Sequence, residues 1–276
     1  MVGEQLLTVE DLSICFGVPG TARPVVDSVS FGVEKGETVA IVGESGSGKT
    51  LMGLLPKAAH CFGGIAMLRH GGREIDLLHQ SREDYRDLRG YTVSMIFQEP
   101  MIALSPLHRV GEQVAEVLHT HNLADQFGGD VRGRVLEIFG EVGFPDPERA
   151  YHTYPFELSG GLRQRAVIAM AMIANPALVI ADEPTSALDV SVQAEVLDLL
   201  RELRDELGLS YLFISHDLAV VAQLADRVMV MRRGRVVEEG SADCVFGNPR
   251  HPYTHALLAA HLEPRLDHRL DLAAVA

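Results

Sequence analysis

The stretch Gly43-Glu44-Ser45-Gly46-Ser47-Gly48-Lys49-Thr50 constrains this chain more than any other. The β-branched apolar run Thr38-Val39-Ala40-Ile41-Val42 precedes it and reads as a buried strand. Strand, glycine-rich loop, Lys-Thr and helix is the P-loop arrangement. Gly43, Gly46 and Gly48 let the backbone curl so that successive N–H groups point inward at phosphate oxygens. The helix opening near Gly48 adds its positive end. Lys49 reaches the outer phosphates as a compact point charge, and the Thr50 hydroxyl is suited to Mg²⁺.

Composition narrows the class. The chain has 276 residues, 24 basic and 38 acidic, so its net charge is −14. An acidic surface argues against nonspecific nucleic-acid binding, and no nucleic-acid partner is expected. Only Lys35, Lys49 and Lys57 are lysines, and one of them sits in the phosphate loop. Cys15, Cys61 and Cys244 have no metal-ligand spacing and read as reduced thiols. Met1 to Gln5 lacks the pattern of a secretory leader, and the longest apolar run, Ala166 to Ala174, is half a membrane span.

Along the chain, Leu6 to Phe16 and Val25 to Val33 read as antiparallel strands around a turn at Gly17 to Pro24. Phe16, at a strand end, is either a platform for a stacked base or an ordinary strand aromatic. Pro56 ends a short helix after Thr50, and Ile65 to Ile75 reads as a hairpin around Gly71-Gly72. Ser81 to Leu88 reads as a charged helix. The strand Val93 to Phe97 delivers Gln98 to its carboxyl end, where α/β folds place ligand contacts. Val110 to Leu123 and Val131 to Val142 carry helical periodicity, with Met101, Met170 and Met172 read as core. Ser159 caps a helix over Gly160 to Ala174, and that Ser-Gly-Gly start is either an anion site or a plain cap. The apolar strand Leu178 to Ala181 ends in Asp182-Glu183, two carboxylates expected on opposite sides of an extended chain. One can then hold Mg²⁺ while the other faces the γ-phosphate. A helix over Val190 to Leu207 and a strand over Tyr211 to Ile214 follow. His216 lies past that strand, a position that favours a phosphate or water contact over a structural role. Arg227 to Met231 and Arg235 to Glu239 form a hairpin. Thr254 to Ala260 forms a short helix, and the tail from Pro264 is weakly ordered.

Six motifs in order give the chain its resemblance to the ATP-binding subunits of ABC transporters. They are Gly43 to Thr50, Gln98, Leu158-Ser159-Gly160-Gly161, Leu178 to Asp182 with Glu183, Ser186 to Asp189, and His216. Phe97 to Met101, Tyr154 to Gly161, Asp189 to Gln193 and His251-Pro252-Tyr253-Thr254 resemble the dipeptide, oligopeptide and nickel importer subfamily. The resemblance implies an α/β P-loop NTPase: a RecA-like parallel core with an N-terminal antiparallel β subdomain and an inserted helical subdomain. Its boundaries are expected at 1–98 (antiparallel β and first core part), 99–165 (helical, with the signature), 166–246 (second core part) and 247–276 (C-terminal extension). It implies ATP and Mg²⁺ as ligands and hydrolysis that drives import of peptides or of nickel- or opine-type complexes. A soluble non-transport ATPase and a weakly turning-over regulatory subunit are the alternatives.

By position, the resemblance implies that Phe16 stacks adenine and that Gly43, Glu44, Ser45, Gly46, Ser47, Gly48, Lys49 and Thr50 hold the phosphates. Thr50, Gln98 and Asp182 would hold Mg²⁺. Glu183 would polarise the attacking water, with Gln98 and His216 supporting the γ-phosphate. Ser159, Gly160 and Gly161 would act on ATP bound to a second, homologous ATP-binding subunit packed head to tail. Two transmembrane permease subunits and, indirectly, an extracytoplasmic substrate-binding protein complete the implied assembly, with this chain peripheral on the cytoplasmic face of the membrane. Two departures stand out. About five residues are missing after the phosphate loop, which removes over a helical turn. No cysteine-rich segment follows His251-Pro252-Tyr253, so no iron–sulfur cluster is expected.

Overall fold

The computed structural model describes residues 4–16, 24–43 and 59–266. Residues 44–58, with most of the phosphate loop and the shortened helix expected behind it, lie outside the described residues. So does most of the turn expected at Gly17 to Pro24.

In chain order, β1 (Gln5–Phe16), β2 (Pro24–Glu34), β3 (Thr38–Gly43), β4 (Ala59–His70) and β5 (Arg73–Asp76) come first. Then follow α1 (Arg82–Leu88), β6 (Val93–Ile96), α2 (Pro100–Ala103), α3 (Val110–Thr120), α4 (Val131–Glu141), α5 (Pro147–His152) and α6 (Gly160–Met172). The chain continues through β7 (Leu178–Asp182), α7 (Val190–Leu207), β8 (Ser210–Ser215), α8 (Leu218–Leu224), β9 (Arg227–Arg232), β10 (Arg235–Ser241), α9 (Ala242–Gly247) and α10 (Pro252–Leu266).

Two sheets result. One is antiparallel, in the order β2-β1-β4-β5, and the other runs β10-β9-β3-β8-β7-β6. In the second, β9, β3, β8, β7 and β6 are parallel and β10 closes one edge antiparallel. The apolar runs explain this layering. Alternate residues of β3, β7 and β8 fall into two different cores. Ala40, Val42, Val179, Ala181 and Phe213 pack with the helices, including Leu118, Ile138, Phe139 and Ile168. Val39, Ile41, Leu178, Ile180, Leu212 and Ile214 pack with Leu7, Val9, Leu12 and Leu68 of the antiparallel sheet. A sheet covered on both faces needs apolar residues at every position, which is why these strands lack alternation in their sequence.

Polar links seat the antiparallel sheet on the core. Asp27 receives Arg235 Nε at 2.8 Å, and its backbone N–H donates to Gly234 O at 2.8 Å. Arg227 donates to Glu37 Oε1 at 2.8 Å and to Gly32 O at 2.5 Å, and also pairs with Glu239. The Glu37 carboxylate holds that guanidinium firmly protonated.

Several local expectations need correction. β4 begins at Ala59 rather than at Ile65, because it pairs with β1 all the way from Leu7↔Leu68 to Phe16↔Ala59. The helix expected to reach Leu123 ends at Thr120, where Asn122 takes a left-handed φ of 54°. Met101 is 41% exposed, whereas Met172 is fully buried; the chain leaving β6 runs over the surface there. The last helix starts at Pro252 and runs to Leu266, longer than expected and through Pro264. Proline suits its first turn. The preceding loop is pinned because the Glu238 carboxylate accepts the backbone N–H groups of Arg250 (2.7 Å) and His251 (3.0 Å).

Candidate functional site

The carboxyl ends of β3, β7 and β8 lie side by side, since Val42 pairs with Ser215 and Asp182 with Ile214. Parallel strands aim the residues that follow them into one crevice. β3 ends at Gly43, whose φ is +107°. A Cβ there would stand 2.1 Å from Met231 O on β9. Only glycine therefore lets the chain leave the sheet at this point and enter the loop.

β7 ends at Asp182, and the next residue departs from the sequence expectation. Glu183 is not extended: its φ is +48°. Its N–H donates to Ile214 O at 2.8 Å, and its carbonyl accepts the Ser186 N–H at 3.2 Å and the Ser186 hydroxyl at 3.1 Å. A tight turn, not strand alternation, separates the two carboxylates. Left-handed non-glycine residues are costly and cluster at functional sites.

The Glu183 side chain is gripped from two sides. Gln98 Nε2, from the loop after β6, donates to Oε2 at 2.7 Å. His216 Nδ1, from the loop after β8, lies 2.9 Å from Oε1. Toward an ionised carboxylate the Nδ1 nitrogen carries the proton, which leaves Nε2 to face another group. His216 is largely exposed, and the Glu183 side chain is 20% exposed. The structure thus brings together three residues that are 85 and 33 positions apart in the chain.

Phe16 and Ser159 to Gly161 make no hydrogen bond to this cluster among the described residues. Phe16 is 51% exposed at the last pair of β1 with β4. Ser159 caps α6 by accepting the Leu162 N–H at 3.3 Å. Ser159 and Gly160 are exposed. The segment before the cap is braced by Arg163, which donates to Pro155 O at 2.8 Å and Phe156 O at 3.3 Å. Glu44 to Thr50 fall outside the described residues.

Sequence reading missed supporting residues. Asp217 caps α8, accepting Ala219 N–H at 2.8 Å, and so fixes the turn that carries His216. An Asp before an apolar run is an ordinary cap signal that was there to be read. Asp189 caps α7; the Val192 N–H at 3.0 Å and the Ser191 hydroxyl at 2.8 Å hold its carboxyl below the usual range.

A parallel sheet with a glycine exit after its central strand, and a carboxylate held by an amide and an imidazole at its carboxyl edge, defines a P-loop ATPase cassette. Residues 26–186 match the ABC transporter family. The chain belongs to that family and is an ABC-type ATP hydrolase. It is 46% identical over 261 residues to the "Oligopeptide transport ATP-binding protein OppD" of Bacillus subtilis, across 93% of this chain and 72% of that one. It is 44% identical to the "Dipeptide transport ATP-binding protein DppD" of Lactococcus lactis, across 98% and 77% of the two chains. It is also 47% identical to the "Peptidoglycan transport ATP-binding protein YejF" of Agrobacterium fabrum, across 95% of this chain and 48% of that one. The chain therefore spans about half the length of that last relative. Among solved structures, the ATP-binding cassette MJ0796, a dimer in a post-hydrolysis state bound to ADP and Pi, superposes with a TM-score of 0.70 at 26% identity. That likeness covers 86% of this chain and 99% of the cassette.

Proposed function

We propose that this ATPase energises a membrane importer of small peptides. The observation that carries the catalytic half is the Gln98–Glu183–His216 cluster at the sheet's carboxyl edge. The relatives named for oligopeptide, dipeptide and peptidoglycan transport support the peptide class over nickel or opine complexes. An intact Glu183 cluster favours turnover over a purely regulatory subunit.

In this reading Gly43 to Thr50 hold the phosphates, with Lys49 reaching the β- and γ-phosphates. Mg²⁺, held by Thr50, Gln98 and Asp182, would supply charge neutralisation on the phosphates. Glu183 orients and polarises the attacking water, and His216 supports the γ-phosphate through its outward Nε2. Phosphoryl transfer asks mainly for positioning and charge compensation, which this set provides. Ser159, Gly160 and Gly161 close on ATP held by a second cassette. Two permease subunits, fed by an extracytoplasmic binding protein, receive the motion at the cytoplasmic face of the membrane. Among the described residues no helix is long and apolar enough to cross a membrane.

The test is uptake of a labelled dipeptide and tripeptide by cells lacking the gene, with and without its restoration. Uptake restored by the wild-type chain supports the reading, and unchanged peptide uptake alongside altered nickel uptake overturns the substrate class. Phe16→Ala checks the base platform in the purified chain: the Kd for ATP rises about tenfold, as loss of one base–aromatic stack does. Equal affinity for both proteins would make Phe16 an ordinary strand aromatic.

A further inference from the structure

The helix that starts at the signature and the helix that follows Ser186–Asp189 touch at two levels. At the first, Gly161 on α6 faces Val192 on α7; a Cβ at Gly161 would stand 2.7 Å from Val192 Cγ1. At the second, one turn further along both helices, Arg165 Nη2 donates to Glu195 Oε2 at 3.1 Å. The same guanidinium donates through Nη1 to Val142 O at 2.6 Å, at the end of α4. Gly143 makes room for it: its φ is +77°, and a Cβ there would stand 2.4 Å from Arg165 Nη1. Arg165 is therefore a three-way junction between α4, α6 and α7, and its side chain is only 17% exposed.

The start of α7 is tied in turn to Glu183. Val192 N–H is the donor that Asp189 caps, and Ser186 anchors the intervening turn on the Glu183 carbonyl. A path of hydrogen bonds, intervening chain and packing thus runs from the backbone carbonyl of Glu183 to the glycine start of α6.

We infer that Val192 and Arg165 are positioning residues that make the Ser159–Gly161 helix start move with the Glu183 turn of the same chain. This rests on the reading in which Ser159 to Gly161 serve a partner's nucleotide. The consequence is directional: the state of one nucleotide site sets the posture of the helix start offered to the other. Of the two contacts, the Gly161–Val192 approach carries more, because Glu195 is well exposed and a solvated ion pair couples weakly. Contiguity alone does not establish coupling, so the test measures it directly.

The experiment is amide hydrogen exchange on the full chain carrying Glu183→Gln, with and without MgATP, at a concentration where sedimentation shows a monomer. MgATP slows exchange over residues 189–195, and through the two contacts over 160–165. Val192→Ala and Arg165→Gln keep the slowing at 189–195 but reduce that at 160–165 by about threefold, the scale expected for a coupling residue. Val192→Thr, which keeps the branched shape, retains it. Equal slowing at 160–165 in every variant, or slowing there only at concentrations that form dimers, overturns the inference. Absence of any MgATP effect over 183–195 in the parent overturns the ATPase reading itself, and the inference with it.

Discussion

Glu183→Gln is expected to lower ATP hydrolysis by about 10²–10⁴-fold, the range for removing a general base, while ATP still binds. The geometry explains why the two effects separate. A glutamine at 183 keeps the length and the branched end of glutamate. Its carbonyl oxygen still accepts from Gln98 Nε2, now 2.7 Å away, and its amide can donate to His216 Nδ1 in the other tautomer. The backbone of the turn is held by Ile214 O and by Ser186, neither of which contacts the side chain. What the substitution removes is the negative charge that, in the proposed function, draws a proton from water. Phosphate release and ATP affinity measured on the same preparation read the two effects. Glu183→Ala is the contrasting variant: it also frees Gln98 and His216 from their anchor, so affinity shifts as well. Turnover within tenfold of wild type in Glu183→Gln would remove Glu183 from the mechanism and leave His216 as the candidate base.

The same cluster shows what a sequence can and cannot disclose. Each of the three residues was legible alone, because Gln98, Asp182-Glu183 and His216 all follow short apolar runs that read as buried parallel strands. The cap residue Ser159 was legible because a side-chain oxygen before a helix has one obvious use. Their meeting was not legible from the residues themselves and came only from the family resemblance. It depends on strand order, and β6, β7 and β8 become neighbours only through the register of the sheet. The backbone at Glu183 was misread for a related reason. An Asp-Glu-Pro run looks extended by propensity, but the Ser186 N–H and hydroxyl close back on the Glu183 carbonyl in a turn that no local preference announces. Met101 failed differently: an apolar residue beside a strand looks like core, yet the loop carrying it leaves the sheet, and Ile102 and Leu107 beside it are exposed too. Arg165 gave no signal, since an arginine on a helix is ordinary until α4 and α7 are seen on either side of it.

Gly43→Ala is expected to be the most damaging small substitution near the site. Two costs combine. At φ +107° an L-residue is strained by about 1–3 kcal/mol. The new methyl would also stand 2.1 Å from Met231 O, a backbone atom on the neighbouring strand. A side chain could swing aside at little cost, but Met231 lies buried in the register of β3 with β9 and cannot retreat without opening the ladder. Overpacking of this kind adds about 1–3 kcal/mol. The expected result is a Tm lowered by about 5–10 °C for a chain of this size. ATP affinity falls more than tenfold, because β3 no longer delivers the loop at the right angle. Gly208→Ala is the control, since Gly208 also has a positive φ, of 64°, but has nothing within 4 Å of the added carbon. It carries the conformational cost alone and lies at the end of α7, away from β3's exit. Scanning calorimetry and ATP titration on both variants separate strain from steric conflict. A Gly43→Ala protein no less stable than Gly208→Ala, with ATP affinity unchanged, would show that β3 and β9 tolerate the methyl and that the exit from the sheet does not depend on glycine.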